Sequence, residues 1–209
     1  QAAREAAPGN GASKRGREDS SVPAAEDAQD STAKKQPRSY PGKSAPYKQW
    51  DFRLVGKTGE LDQLKSAAGK KKAAALLAEI VEAEWPIHER SLAKLAINTY
   101  EFGRVSAARE KAMLAALNQK TWTTDIDGFI WPATQQQDRW IDHRTEFAKH
   151  DVKVHEISPR EIANLMCSLA FAAKESGVDE LKRAALGALG YGSMTEGVSR
   201  CLQKGLELA

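Results

Sequence analysis

Cysteine is scarce in this chain. Cys167 and Cys201 are the pair in 209 residues, and both sit inside apolar helical patterns. Such thiols read as buried and free rather than bonded to each other. That suits a reducing compartment, so a cytoplasmic location is expected. Long apolar runs are missing as well: nothing approaches the ~18–20 residues that span a bilayer. The start lacks the charged-then-apolar pattern of a signal peptide, and no membrane is expected among the partners. Because the first residue is Gln and not Met, the chain reads as a processed, tagged or excerpted piece of something longer. A basic excess is absent from the folded part. Residues 1–48 hold 9 Lys+Arg against 6 Asp+Glu, whereas residues 49–209 hold 22 of each sign. A dedicated nucleic-acid binder usually carries its excess on the folded part, although a local basic face can hide inside a neutral total. Catalytic motifs are missing too. There is no phosphate-binding loop, no paired His on a zinc-protease helix and no Gly-x-Ser-x-Gly elbow. The glycines of Gly187–Gly192 follow no strand and align with an ordinary inter-helix turn. No catalytic residue, metal or cofactor is assigned, and the chain is not expected to be an enzyme.

What the chain does have is an internal repeat. Ala74, Leu76, Leu92, Ala96, Gly103 and Leu117 reappear 89 positions on as Ala163, Leu165, Leu181, Ala185, Gly192 and Leu206. A repeat of this length means two copies of one small domain. Residues 1–48 hold almost no large apolar side chain before Tyr40, cannot offset their ordering entropy and read as a disordered basic tail. Its clusters Lys14–Arg17 and Lys34–Arg38 are either phosphate contacts, a localisation signal or plain solubilising linker. Residues 49–69 read as an extended arm. The apolar patch Tyr47, Trp50, Phe52, Leu54 and Val55 reads as a short strand or arm that docks on a neighbouring domain.

The first copy, residues 70–133, begins after Lys70-Lys71-Lys72. A helix over Ala73–Glu84 shows Leu76, Leu77, Ile80 and Val81 at helical spacing. Trp85-Pro86 ends it, and Ile87-His88 is a short extended stretch. A second helix is expected over Glu89–Tyr100. Gly103 supplies a turn that tolerates positive φ, and Ser106 caps a third helix reaching about Gln119. Alternating apolar residues flank Asp127-Gly128 between Trp122 and Trp131, the signal of a tight hairpin. Three helices and a hairpin make a winged-helix arrangement, a helix-turn-helix variant. Residues 134–156 read as a connecting helix around Asp138–His150. The second copy, residues 157–209, opens with Ser158 as cap, Pro159 at the first position and Glu161 three on. Its helices are expected near Pro159–Lys174, Asp179–Leu189 and Thr195–Leu206, with its wing missing or cut short. The fold class expected is therefore mainly α, tandem winged-helix-like domains.

On a helix, His143, Glu146 and His150 share one face. It reads as a solvated face, because zinc wants three or four convergent ligands. The candidate nucleic-acid contacts lie on each third helix, the element that enters the major groove in this fold. The first copy offers Arg104, Arg109 and Lys111, interrupted by Glu110. The second offers Arg200 and Lys204, with Thr195, Ser199 and Gln203 beside them and Glu196 opposed. Asp125 and Asp127 at the hairpin tip would repel a phosphate backbone. Trp122 and Trp131 are expected to pack the hairpin rather than stack on bases. On these residues alone, nucleic-acid contact and protein docking stand level.

The stretch Glu82-Ala83-Glu84-Trp85-Pro86-Ile87-His88, followed by Phe102-Gly103-Arg104-Val105, resembles a C-terminal domain of unknown function in very large bacterial superfamily-1 helicase-like proteins. In that family a first helix ends in a Glu-x-Pro-Ile-His stretch, and a Phe-Gly or Leu-Gly turn with a nearby Arg opens the next helix. Glu84, Pro86, Ile87, His88 and Gly103 are the matching positions, and Trp85 stands where the family commonly has a small residue. The resemblance covers residues 70–132 and, more loosely, the second copy. It implies a parent with an ATP-driven helicase core, often with a restriction-endonuclease-like domain just upstream. The motif residues are expected to be structural: His88 caps the turn before the second helix, and Pro86 fixes the helix exit. The expected function is a non-catalytic accessory module that contacts DNA beside helicase and nuclease domains. The alternative is a protein–protein docking module with no DNA contact.

Overall fold

A computed structural model describes residues 39–101, 105–173 and 177–209. The basic clusters of residues 1–38, the turn Phe102-Gly103-Arg104 and the expected helix end at Lys174 lie outside the described residues. The first long helix, α1, runs Ala67–Glu84 and starts six residues before the expected Ala73, because Ser66 caps it by accepting from Gly69 N. Lys70–Lys72 therefore lie in its opening turns. Its buried face is Ala73, Leu76, Leu77, Ile80, Val81 and Glu84. Strand β2 (Ile87–His88) leads into α2 (Glu89–Asn98), and Ser106 caps α3 (Ala107–Leu114). Past Leu114 the chain continues only as tight turns, with Ala116 and Leu117 N–H groups bonded three residues back.

Strands β3 (Trp122–Thr124) and β4 (Phe129–Pro132) form the expected hairpin, with β2 joining on the far side of β4 to give the order β2-β4-β3. All pairings are antiparallel. Gly128 closes the tip at φ 81°, a conformation that only glycine takes without strain. The Asp125 carboxylate is drawn inward. It accepts from the backbone N–H groups of Asp127 (2.9 Å) and Phe129 (2.8 Å) and from the Trp131 indole (2.8 Å).

Two expectations fail in this part of the chain. Residues 39–48 are not disordered: β1 (Ser44–Pro46) pairs in parallel with β5 (His143–Thr145), and Tyr47 is buried. Nor is 134–156 a connecting helix. It folds as three 3-10 turns (Gln137–Arg139, Phe147–His150, Val154–Glu156) around β5. The helical spacing of His143, Glu146 and His150 is overridden by tertiary bonds. Lys43 N donates to Asp142 (2.7 Å), His143 N to the Lys43 carbonyl (3.0 Å) and Tyr47 N to the Thr145 carbonyl (2.8 Å). Glu146 and Asp151, at φ 62° and 55°, break any continuous helix.

The last helices are α4 (Pro159–Ala172), α5 (Val178–Ala188) and α6 (Glu196–Leu208). The starts of α2 and α5, and those of α3 and α6, are each 89 residues apart. Helices α4 and α6 cross closely at Gly205, where a β-carbon would meet the Ile162 side chain at 2.3 Å. The described residues belong to one compact unit that is mainly helical with small sheets. It holds two large apolar clusters. The first gathers Trp50, Leu61 and Leu64 around α1, α2, Met113 and the hairpin. The second gathers Tyr47, Phe147, Val154 and Ile157 around α4, α5 and Leu202. A small aromatic group, Phe129, Trp131 and Trp140 with Trp85 against it, lies beside them.

Candidate functional site

The Glu-x-Pro-Ile-His stretch sits where the two apolar clusters meet. Glu84, the last residue of α1, is buried. Its carboxylate accepts from the Tyr47 hydroxyl and from Trp50 N (2.7 Å). The carbonyls of Glu84 and Pro86 accept from Arg144 Nη1 (2.8 Å) and Nη2 (3.0 Å). Arg144 in turn forks onto Glu161 through Nε (2.7 Å) and Nη2 (2.8 Å). Its own backbone N–H donates to the same carboxylate at 2.9 Å. The guanidinium lies 5.3 Å from the ring centres of both Tyr47 and Phe147. Burial opposes the Arg144 charge, but the charge and hydrogen bonds of Glu161 outweigh it and hold the group above its usual range. Burial, then the Glu84 charge, pushes the Tyr47 phenol far above its own. Ile87 is buried in the first cluster, and His88 Nδ1 accepts from Arg90 N (3.1 Å), the expected cap of α2.

A cleft of about 260 Å³ opens over this network, with Tyr47, Ile87, Ser91, Asn98, Arg144 and His150 among its walls. The donors of Arg144 are directed at Glu161 and at two α1-end carbonyls. The arrangement thus fastens the arm, the end of α1 and the second half to one another. Sequence reasoning missed Tyr47, Arg144 and Glu161 as a set. Glu161 was legible only as a capping partner for Ser158, whose hydroxyl is instead buried without a hydrogen bond while Glu161 turns to Arg144.

The candidate DNA contacts are not gathered on one face. Arg104 lies outside the described residues. Arg109 Nη2 reaches Asp62 at 3.5 Å. Lys111 is exposed but two residues further on, roughly 200° around α3. Arg200 is 76% exposed, with Glu196 at 3.9 Å. Lys204 is turned to Asp127 at the hairpin tip. The two tip acids expected to repel phosphate are thus occupied, Asp125 within the hairpin and Asp127 with Lys204. Ile126 between them is wholly exposed. Trp122 and Trp131 are buried, packing the hairpin as expected. Trp50 is buried within the chain's own first cluster, so of the arm aromatics only Phe52 stays open to solvent.

His143, Glu146 and His150 do not share a helix face: they fall on β5, at a left-handed residue and in a 3-10 turn. Among the described residues no three His, Cys, Asp or Glu side chains converge as metal ligands, and no helix is long and apolar enough to cross a membrane. Both cysteines are free and half-buried.

His143 has a consequence for pH. It is buried with Nδ1 unpartnered, and burial holds its pKa below 6.5 against the opposing charges of Glu161 and Asp142. The folded state therefore binds this proton less readily than the unfolded chain. Its stabilising contribution is present above about pH 6.5 and is lost as pH falls through and below that value. Unfolding free energy measured from pH 8 to 5 should fall at the acid end, and His143→Gln should flatten that fall. An unaltered slope would show that His143 does not titrate between the two states.

No protein-family model matches the chain, and comparisons with curated proteins and with solved structures likewise give no match.

Proposed function

We propose that residues 39–209 form a non-catalytic accessory module of two winged-helix-type halves, acting on DNA beside the motor and nuclease domains of a parent helicase-like protein. The observation that carries this reading is the order α1–β2–α2–α3–β3–β4, with β2 closing the sheet against β4. In such a fold the third helix faces the groove. The matching starts of α2 with α5 and α3 with α6 support a second, wingless copy. The resemblance around Glu84–His88 supports the bacterial helicase-like parent, and the two unpaired cysteines fit a reducing, cytoplasmic setting. Arg109 and Lys111 make the first-half contacts. Arg200 serves in the second half. Lys204 is available only when Asp127 releases it.

The test is DNA affinity against salt concentration, using the full chain. Arg109→Ala with Lys111→Ala should weaken binding and lower the slope of log K against log salt by about 1–2, the value for one or two lost phosphate contacts. No change in either quantity would sink the reading. A second reading, protein docking, is favoured by Phe52 and Leu54, which are 54% and 57% exposed two residues apart on the arm. It predicts binding to the helicase portion that Phe52→Ser abolishes and that DNA does not compete away.

A further inference from the structure

We propose that the exposed basic ledge around the start of α1, carrying Lys65, Lys70 and Lys71, docks the phosphate backbone of a nucleic acid. This rests on the reading of the chain as a DNA-contacting module and adds a surface to it.

The ledge is built against the interest of its own helix. Lys70, Lys71 and Lys72 fall in the opening turns of α1, at the positive end of the helix dipole, and no acidic residue stands in the first turn to offset them. Gly69, just before them, is a poor helix former. Ser66 has already satisfied the Gly69 N–H, so helix stability does not explain the lysines. Lys72 is the one that is compensated. It lies 2.5 Å from Glu60 and 5.5 Å from the centre of the Tyr100 ring. Lys65, Lys70 and Lys71 are exposed, and among the described residues none of them is in an ion pair. All three fall within about one turn of the Ser66 cap, as the Lys70 N to Ser66 carbonyl bond shows.

The ledge also reaches α3. The 3-10 turn Thr58–Gln63 is held on one side by Lys72 through Glu60 and on the other by Arg109 through Asp62. Lys57 precedes the same turn. Lys57, Lys65, Lys70 and Lys71 are exposed within this stretch, which also holds the acids Glu60 and Asp62. Glu60 pairs with Lys72, and Asp62 lies 3.5 Å from Arg109. A neutral total for residues 49–209 therefore contains a lysine-rich stretch, Lys57–Lys72, in which five lysines stand against two acids.

The chemistry favours a nucleic-acid backbone over a lipid surface. Lysine ammonium groups are compact, strongly hydrated charges that follow a phosphate chain without demanding one geometry. Membrane-surface elements need exposed apolar side chains beside the charge. No large apolar residue between Lys57 and Ala75 is exposed.

The test uses the full chain, a short fluorescent duplex and anisotropy across a salt series. Lys65→Gln, Lys70→Gln and Lys71→Gln combined should weaken binding about tenfold or more at low salt and lower the log–log salt slope by about 2–3. The matching Lys→Arg triple should keep both. The thermal midpoint of the Gln triple should not fall below that of the parent chain, since no internal partner is lost. If the parent chain binds and the Gln triple binds equally well, the ledge is overturned. The proposed function then stands or falls separately on Arg109 and Lys111. Binding to phosphatidylserine vesicles in preference to the duplex also overturns the ledge. A parent chain that binds no DNA at any salt overturns both.

Discussion

Replacing Arg144 with methionine is expected to lower the unfolding free energy by about 3–5 kcal/mol, the range for removing one member of a buried ion pair. The Glu161 side chain is fully buried and that of Arg144 is 17% exposed. Without the guanidinium, Glu161 keeps only the Arg144 backbone N–H as a partner. The carbonyls of Glu84 and Pro86 lose their side-chain donors at the same time. Urea titration followed by tryptophan fluorescence reads the effect directly. The double variant Arg144→Met with Glu161→Met should recover a large part of the loss, because no charge is then left unpaired. A loss under about 1 kcal/mol for the single variant would mean that the pair behaves like a surface one.

The second large effect is expected at Trp50. This residue is 6% exposed and belongs to the first apolar cluster, and its indole donates to Glu79 at 3.1 Å. Trp50→Ala should cost about 3–5 kcal/mol, as for other large aromatics removed from a core. Phe52→Ala, two residues on at a side chain 54% exposed, should change stability by no more than about 0.5 kcal/mol. The contrast separates an arm that belongs to the fold from one held ready for a partner. Equal, small effects at both positions would return the arm to its role as a free docking segment.

Local patterns carried the elements that depend on local chemistry. The Ser106 cap, the Asp127-Gly128 turn, the His88 cap and the apolar faces of α1, α2 and α4 all follow from residues within a turn or two of one another. The misread parts depend on distant partners. Nothing in residues 134–156 announces that β5 will pair with a strand about 100 positions earlier. Nothing near Glu161 announces Arg144 as its partner in place of the Ser158 cap. The candidate DNA contacts suffer in the same way. Arg109 and Lys111 look adjacent in sequence but diverge around the helix. Lys204 is claimed by an aspartate 77 residues away. The lysines of α1 were visible as a run, but they read as a boundary because the helix was expected to begin after them.

The short stretch from Tyr47 to Trp50 bears on how the chain comes apart. Its first residue lies in one apolar cluster and its last in the other, and both are hydrogen-bonded to the single carboxylate of Glu84. Three residues of backbone leave too little slack for one cluster to open while the other keeps its place. The stitch at Glu84 is expected to make the two clusters melt in a single cooperative transition, as a thermal scan would show.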